Sequence, residues 1–89
     1  MTKLNLEDNS IGVEGAKSIA EALKVNPVLT ELSLYYNSIG DDGAKAIAEA
    51  LKVNPVLTKL DLGNNNTEDA GKIAVRDAVK GRGGFQLHL

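Results

Sequence analysis

The only histidine of the chain, His88, is the side chain best suited to acid–base chemistry near neutral pH. A hydrolytic site would need a nucleophile beside it, and a metal site would need several further ligands. The chain has no cysteine. Its serines all occupy positions that recur along the chain, so none stands out as a nucleophile: Ser10, Ser18, Ser33 and Ser38. We therefore predict no catalytic residue, no metal site and no cofactor.

Two glycine-containing segments could suggest phosphate or RNA binding. Gly71-Lys72 is followed by Ile73, and no glycine stands five residues before Gly71, so the P-loop pattern is not met. Segment 80–84, Lys-Gly-Arg-Gly-Gly, offers two cations, whereas nucleic-acid affinity needs several phosphate contacts. The whole chain carries a formal net charge of −2, without the basic excess of nucleic-acid or anionic-membrane binders. We expect neither partner, and we interpret segment 80–84 as a flexible turn.

Length and composition indicate one domain of a soluble protein. The chain has 89 residues, of which 43% are hydrophobic and 25% are charged. No apolar run approaches the ~20 residues of a membrane span, and the first ten residues do not resemble a signal peptide. We expect a cytoplasmic location, which the lack of cysteine favours.

Internal repetition is the strongest pattern in the sequence. Residues 4–31 and 32–59 are identical at 21 of 28 positions. A third unit, 60–86, keeps the frame more loosely, and residues 87–89 begin a fourth. The units start with four Leu-x-Leu pairs: Leu4/Leu6, Leu32/Leu34, Leu60/Leu62 and Leu87/Leu89. We predict a single array over residues 1–89, with units 4–31, 32–59 and 60–86 and a partial fourth strand at 87–89.

Each unit changes its hydrophobic period part-way. Leu32-Ser-Leu34 alternates as a half-buried strand does, and residues 41–52 place apolar side chains on one face of a helix. Asn54-Pro55 ends that helix, because the residue before proline avoids helical backbone angles. Lys45 and Glu49 are predicted to pair on its outer side. Since neither element buries its apolar face alone, the units must stack as a parallel sheet covered by helices.

The repeat is Leu29-x-x-Leu32-x-Leu34-x-x-Asn37-x-Ile39, followed by Gly-x-x-Gly-Ala and a helix. With its 28-residue period it resembles the leucine-rich repeats of the ribonuclease-inhibitor-like subtype. The resemblance implies an α/β solenoid, a short curved parallel sheet with strands on the concave side and helices on the convex side. It also implies a non-enzymatic protein–protein interaction module, because family members mostly bind proteins through the concave face and the loops at the strand ends.

Three asparagines recur at one position of the unit: Asn9, Asn37 and Asn65. A buried amide there can donate hydrogen bonds to turn carbonyls that would otherwise lack a partner. The family resemblance implies that these side chains form a stacked ladder. We interpret all three asparagines as structural.

Tyr35 and Tyr36 are the main candidates for binding a partner. Strand alternation points Leu32 and Leu34 inward, so neighbouring side chains point outward. Exposed aromatic residues on such a sheet often anchor interfaces. The predicted binding face comprises Glu31, Ser33, Tyr35, Tyr36, Lys59 and Asp61. The alternative is a surface that contacts only solvent, and the sequence does not name a protein partner.

The two ends of the array suggest a second function. In unit three, Lys72 and Arg76 replace alanines of the earlier units, which indicates a partial C-terminal cap. No such change protects the other end, and the abrupt start suggests a fragment or a deliberately short array. Edge strands predicted from Met1 to Leu6 and from Gln86 to Leu89 could pair with another copy. The alternative function is therefore a self-assembling, natural or engineered, structural module that forms homo-oligomers.

Overall fold

The computed structural model describes residues 2–89. Strands and helices alternate along the chain: β1 Thr2–Asn5, α1 Gly12–Val25, β2 Leu29–Ser33, α2 Gly40–Val53, β3 Lys59–Asp61, α3 Asp69–Val79 and β4 Gln86–His88. The four strands form one parallel sheet in chain order. The helices pack side by side, each on its neighbour in the chain. The predicted α/β solenoid is confirmed.

The strands align at equivalent positions of the repeat. Leu4 lies beside Leu32, Leu32 beside Leu60, and Leu60 beside Leu87. Because side chains alternate along a strand, this alignment brings all four leucines to the same face of the sheet. That face meets the helices, and Leu32 and Leu60 are part of a single hydrophobic core.

Small residues allow the helices to approach closely. Ala16 and Ala20 of α1 and Ala44 and Ala48 of α2 are almost completely buried. A Cβ atom added to Gly43 would lie 3.0 Å from the Cβ atom of Ala16. Larger side chains at these positions would push neighbouring helices apart.

One predicted surface contact is wrong. Glu49 pairs with Lys52, one turn further along α2, at 2.8 Å between Oε2 and Nζ, and not with Lys45. The hydrogen bond from Lys52, together with the charge of that lysine, lowers the pKa of Glu49 below its ordinary value. Both (i, i+3) and (i, i+4) neighbours share one side of a helix, so spacing alone does not choose between them.

The two ends of the solenoid differ in polarity. Leu4 in β1 is 44% exposed, whereas its equivalent in β2, Leu32, is 2% exposed. At the other end, Lys72 is half-buried and Arg76 is exposed. The predicted N-terminal strand is shorter in the structure and Met1 lies outside the described residues. Of the helices in residues 2–89, none combines the length and apolarity needed to cross a bilayer.

Candidate functional site

The face of the sheet opposite the helices carries two rows of polar side chains, which we call the open face. The first row holds Lys3, Glu31, Lys59 and Gln86, and the second holds Asn5, Ser33, Asp61 and His88. A cavity of about 220 Å³ lies across the first three strands. The structure thus brings Glu31, Ser33, Lys59 and Asp61 together on one surface.

Charges of opposite sign are interleaved on the open face. The Nζ atom of Lys3 lies 3.7 Å from the carboxylate of Glu31. Ser33 donates a hydrogen bond of 3.1 Å to Glu7. Because its charges are mixed, this face can orient a partner but does not create a strong field of one sign.

His88 belongs to this face, as its position on the outer side of the last strand predicted. Its Nδ1 atom lies 2.8 Å from Oδ1 of Asp61, and the same oxygen accepts a 2.9 Å hydrogen bond from the Gly63 amide. The Leu87-x-Leu89 pair places His88 in register with Asp61. The hydroxyl of Ser33 donates to Glu7 and not to the His88 ring. Ser33, His88 and Asp61 are therefore not connected as a nucleophile–base–acid set. Among residues 2–89, no His, Asp and Glu side chains are grouped closely enough to hold a metal ion.

Tyr35 is half-buried because its ring lies over Gly63. A Cβ atom added to Gly63 would be 3.0 Å from Cδ1 of Tyr35 and 3.0 Å from Cε1 of His88. The Tyr35 hydroxyl accepts a hydrogen bond from the side-chain amide of Asn64. Gly63 is the residue of unit three that corresponds to Tyr35, and its lack of a side chain leaves room for the ring.

Tyr36 is both exposed and held in an unfavourable backbone conformation. The residue is 58% exposed, and its φ angle is 61°. The equivalent residues, Asp8 and Asn64, have φ angles of 57° and 53°. Aspartate and asparagine tolerate this left-handed region, whereas a bulky aromatic residue is strained there. Local stability therefore does not explain why a tyrosine stands at this position.

Two of the recurring asparagines connect neighbouring turns. The buried amide of Asn37 donates to the carbonyls of Leu6 at 2.8 Å and Leu34 at 3.0 Å. Asn65 is also buried and donates to Leu34 at 2.8 Å and Leu62 at 2.9 Å. Each side chain thus joins its own unit to the preceding one.

Asn9, which the sequence analysis placed in the same ladder, is exposed. Its side-chain amide donates within its own turn, to the carbonyl of Glu7 at 3.2 Å, while its backbone amide donates to Oδ1 of Asn37 at 2.7 Å. Asn9 lies in the outermost turn of the described array, so its side chain joins no second unit. For Asn9, the expected burial is therefore wrong, whereas the expected donation to a turn carbonyl is present.

A second set of contacts between units was missed in the sequence. Asn54, 3% exposed, donates to the carbonyl of Leu23 at the end of α1, at 2.7 Å. In unit three, the guanidinium group of Arg82 donates to the equivalent carbonyl, that of Leu51, at 3.0 Å. It also donates to the carbonyl of Leu57 at 2.6 Å. The repetition of Asn26 at Asn54 was the available signal. Arg82 thus connects segment 80–84 to unit two.

Comparison with protein families gave one result that agrees with this geometry. A family model described as Leucine Rich repeat matches residues 1–20, 25–48 and 53–75, and together these segments cover more than half of the chain. Comparison with curated proteins gave no significant match.

Proposed function

The chain belongs to the leucine-rich repeat family, and on that premise we propose that it is a non-enzymatic module that binds a protein partner through the open face together with Tyr35 and Tyr36, which follow β2. Leucine-rich repeats are generally protein-interaction modules. The 28-residue spacing of its first three strands also supports the ribonuclease-inhibitor-like subtype. The cytoplasmic location expected from the sequence stays a prediction.

Tyr36 is the observation that carries this proposal. Strained residues concentrate at functional sites, where recognition rather than stability maintains them. An exposed tyrosine supplies a large contact area and loses little conformational entropy when it is buried by a partner. Tyr36 stands beside Tyr35, with the ring centres 6.5 Å apart. The two rings together give the partner an aromatic anchor at the end of β2.

The polar residues of the open face have a different role in this proposal. Glu31 and Asp61 are half-buried, while Lys59 is exposed between them. Charges at the rim of an interface affect orientation and association rate more than affinity. We assign affinity to the tyrosines, and orientation to Glu31, Lys59 and Asp61. Ser33 adds a hydrogen-bonding hydroxyl. A fitting partner segment carries an apolar residue flanked by side chains of both charges.

Selection from a displayed library of random peptides, followed by affinity measurement with Tyr36→Asn, tests this function. Asn64 shows that asparagine suits this backbone conformation. We expect Tyr36→Asn to weaken the selected ligands at least about tenfold, the loss typical of a central anchor. The same variant should raise the free energy of unfolding by about 1 kcal/mol, because the strain is removed.

Ser38→Asn is the matched control for the backbone effect. Ser38 has a φ angle of 55°, and unit three carries Asn66 at this position. We expect this variant to keep the affinity of the wild type. If the selected peptides bind Tyr36→Asn as tightly as the wild type, the tyrosines do not anchor the partner and the proposal is wrong.

Self-association through the ends is a second candidate function, and the exposure of Leu4 favours the N-terminal end. The outer edge of β1 has no paired strand within residues 2–89, and unpaired edges invite pairing with another chain. At the opposite end, Lys72 and Arg76 hinder close packing of a further helix, so Gln86–His88 is the weaker candidate. Pairing of two N-terminal edges about a two-fold axis would bury Leu4 in both copies.

Solution mass at high micromolar concentration tests self-association. We expect a mass above that of the monomer for the wild type, and a monomer for Leu4→Lys. Val25→Lys places the same charge at another exposed apolar position, 81% exposed, and should behave as the wild type. A strictly monomeric wild type would rule this candidate out.

A further inference from the structure

Three groups of different chemistry follow one another along unit three on the open face. Lys59 and Asp61 point outward from β3, two residues apart. The chain continues in the same ladder beyond β3, because the amide of Tyr36 donates to the carbonyl of Gly63 at 2.9 Å. Gly63 holds the next outward position, and the ring of Tyr35 lies over it. We call this row of a cation, an anion and an aromatic ring the β3 line.

The spacing of the β3 line matches an extended polypeptide. Residues of a parallel strand rise about 3.3 Å each, so the three groups follow at intervals of about 6.6 Å. An extended partner segment shows the same interval between side chains on one of its sides. An α-helix rises only about 5.4 Å per turn, so over two intervals its side chains fall about 2 Å short. The β3 line therefore favours an extended segment.

The charge of Lys59 is available to a partner. Lys59 is exposed and forms no ion pair among residues 2–89. Glu31, beside it on β2, pairs with Lys3 on its other side at 3.7 Å. Gln86, beside it on β4, is neutral. Because a strand lies on each side of β3, the neighbours of Lys59 in the sheet are all present and none neutralises it.

Asp61 keeps one of its two carboxylate oxygens available. His88 and the amide of Gly63 both contact Oδ1, at 2.8 and 2.9 Å. Within residues 2–89, Oδ2 has no hydrogen-bond partner. Asp61 is half-buried, so a basic side chain that reaches Oδ2 is partly shielded from water and interacts more strongly than it would at a fully exposed acid.

We propose that the open face binds an extended segment of a partner protein that lies along the β3 line. The segment carries an acidic, a basic and an apolar residue at alternate positions, in this order. The acid pairs with Lys59, the base pairs with Oδ2 of Asp61, and the apolar residue packs against Tyr35 and Tyr36. This inference rests on the proposed function, because it uses the same aromatic anchor. It adds the conformation of the partner and the order of its charges.

Parallel selections from a displayed library of random peptides, on the wild type and on Lys59→Glu, test the order of charges. On the wild type we expect peptides in which an acid, a base and an apolar residue alternate with other residues. On Lys59→Glu, a base should replace the acid at the same position. Either chain direction satisfies the proposal, since the β3 line contacts only side chains. Selected peptides without this alternating order would overturn it.

Charge reversal in both partners gives the affinity test. Lys59→Glu should weaken a peptide selected on the wild type at least about fivefold, because repulsion replaces attraction. Replacing the acid of that peptide by lysine should restore most of the affinity for Lys59→Glu. Lys45→Glu makes the same change at an exposed position of α2 and is the matched control, which should bind as the wild type does. Equal weakening by Lys45→Glu, or no restoration by the changed peptide, would show that Lys59 does not contact the acid.

Asp61→Asn tests the middle of the β3 line. Asn5 holds the equivalent position in unit one, and its Oδ1 accepts the amide of Glu7 at 2.9 Å. Oδ1 of Asp61 accepts the amide of Gly63 at the same distance. Asparagine therefore keeps this turn contact and removes the charge. We expect peptides with the base to bind about threefold more weakly to Asp61→Asn, and peptides with a neutral residue in its place to be unaffected. Equal effects on both kinds of peptide would contradict the assigned pairing.

The same measurements separate this inference from the proposed function. If the peptides lose affinity with Tyr36→Asn but not with Lys59→Glu, the tyrosines anchor the partner and the inference about the β3 line alone is wrong. If Tyr36→Asn leaves the affinity unchanged, or if the wild type selects no peptide, the proposed function is wrong and this inference fails with it.

Discussion

Asn37 and Asn9 hold the same position in adjacent units and differ in their surroundings. Asn37 is fully buried, and its side chain bonds to groups of both its own and the preceding turn. Asn9 is exposed, and its side-chain amide donates once within its own turn. A polar group that is buried without a partner costs more than an exposed one, because water cannot replace the lost hydrogen bond. The same substitution should therefore have unequal effects at the two sites.

We expect Asn37→Ala to lower the free energy of unfolding by about 2–4 kcal/mol, because it leaves buried donors and acceptors without partners. Asn9→Ala should lower it by less than about 0.5 kcal/mol, as is usual for exposed positions. Urea unfolding, followed by circular dichroism, measures both. If the two variants lose similar free energy of unfolding, the burial of Asn37 does not explain its contribution to stability.

At the level of elements, the start of α3 depends on a residue of α2. Oδ1 of Asp41 accepts hydrogen bonds from the amides of Glu68 at 2.7 Å and Gly71 at 3.1 Å. The helix receives no cap hydrogen bond from the side chain of its own N-cap residue. A carboxylate at this place satisfies open amides and interacts well with the positive end of the helix dipole. Unit one has Val13 at the corresponding position, so only the boundary between α2 and α3 carries this contact.

Asp41→Ala should destabilise the protein by about 1 kcal/mol more than Asp42→Ala. Both changes remove one acid from the first turn of α2, so their effects on that helix are comparable. Only Asp41 caps α3. Chemical denaturation gives the difference, and amide hydrogen exchange should show faster opening at the start of α3 in Asp41→Ala alone. Equal stability of the two variants would contradict capping between units.

The sequence was sufficient to predict the order of elements, because each unit repeats both the strand alternation and the helical spacing. Alternation also placed Lys59 and Asp61 on the same face. The contacts made by Asp41 and Arg82 were not predictable in this way. Each is a departure from the repeat, and its partner is known only once neighbouring units are aligned in space. Tyr36 was recognised as an exposed aromatic, but its backbone strain appears only in the three-dimensional structure.

For the whole molecule, stability depends on contacts between successive units. α2 packs against both α1 and α3, while α1 and α3 have no substantial contact with each other. In such an array, the free energy is close to a sum of unit and nearest-neighbour terms. Unit two takes part in both major interfaces, so its loss should separate the remaining units, whereas unit one can open without disrupting the interface between α2 and α3.

Ile47→Ala and Ile19→Ala test this difference with the same substitution at the same position of the repeat. Ile47 is completely buried, whereas Ile19 packs only partly against the core. We expect Ile47→Ala to cost about 3–4 kcal/mol and to raise exchange of core amides in all three units together. Ile19→Ala should cost about half as much and speed exchange chiefly in β1 and α1. Residue-resolved hydrogen exchange distinguishes these results. If Ile19→Ala instead speeds hydrogen exchange equally in all three units, the units open as one, because the interfaces are then stronger than the units themselves.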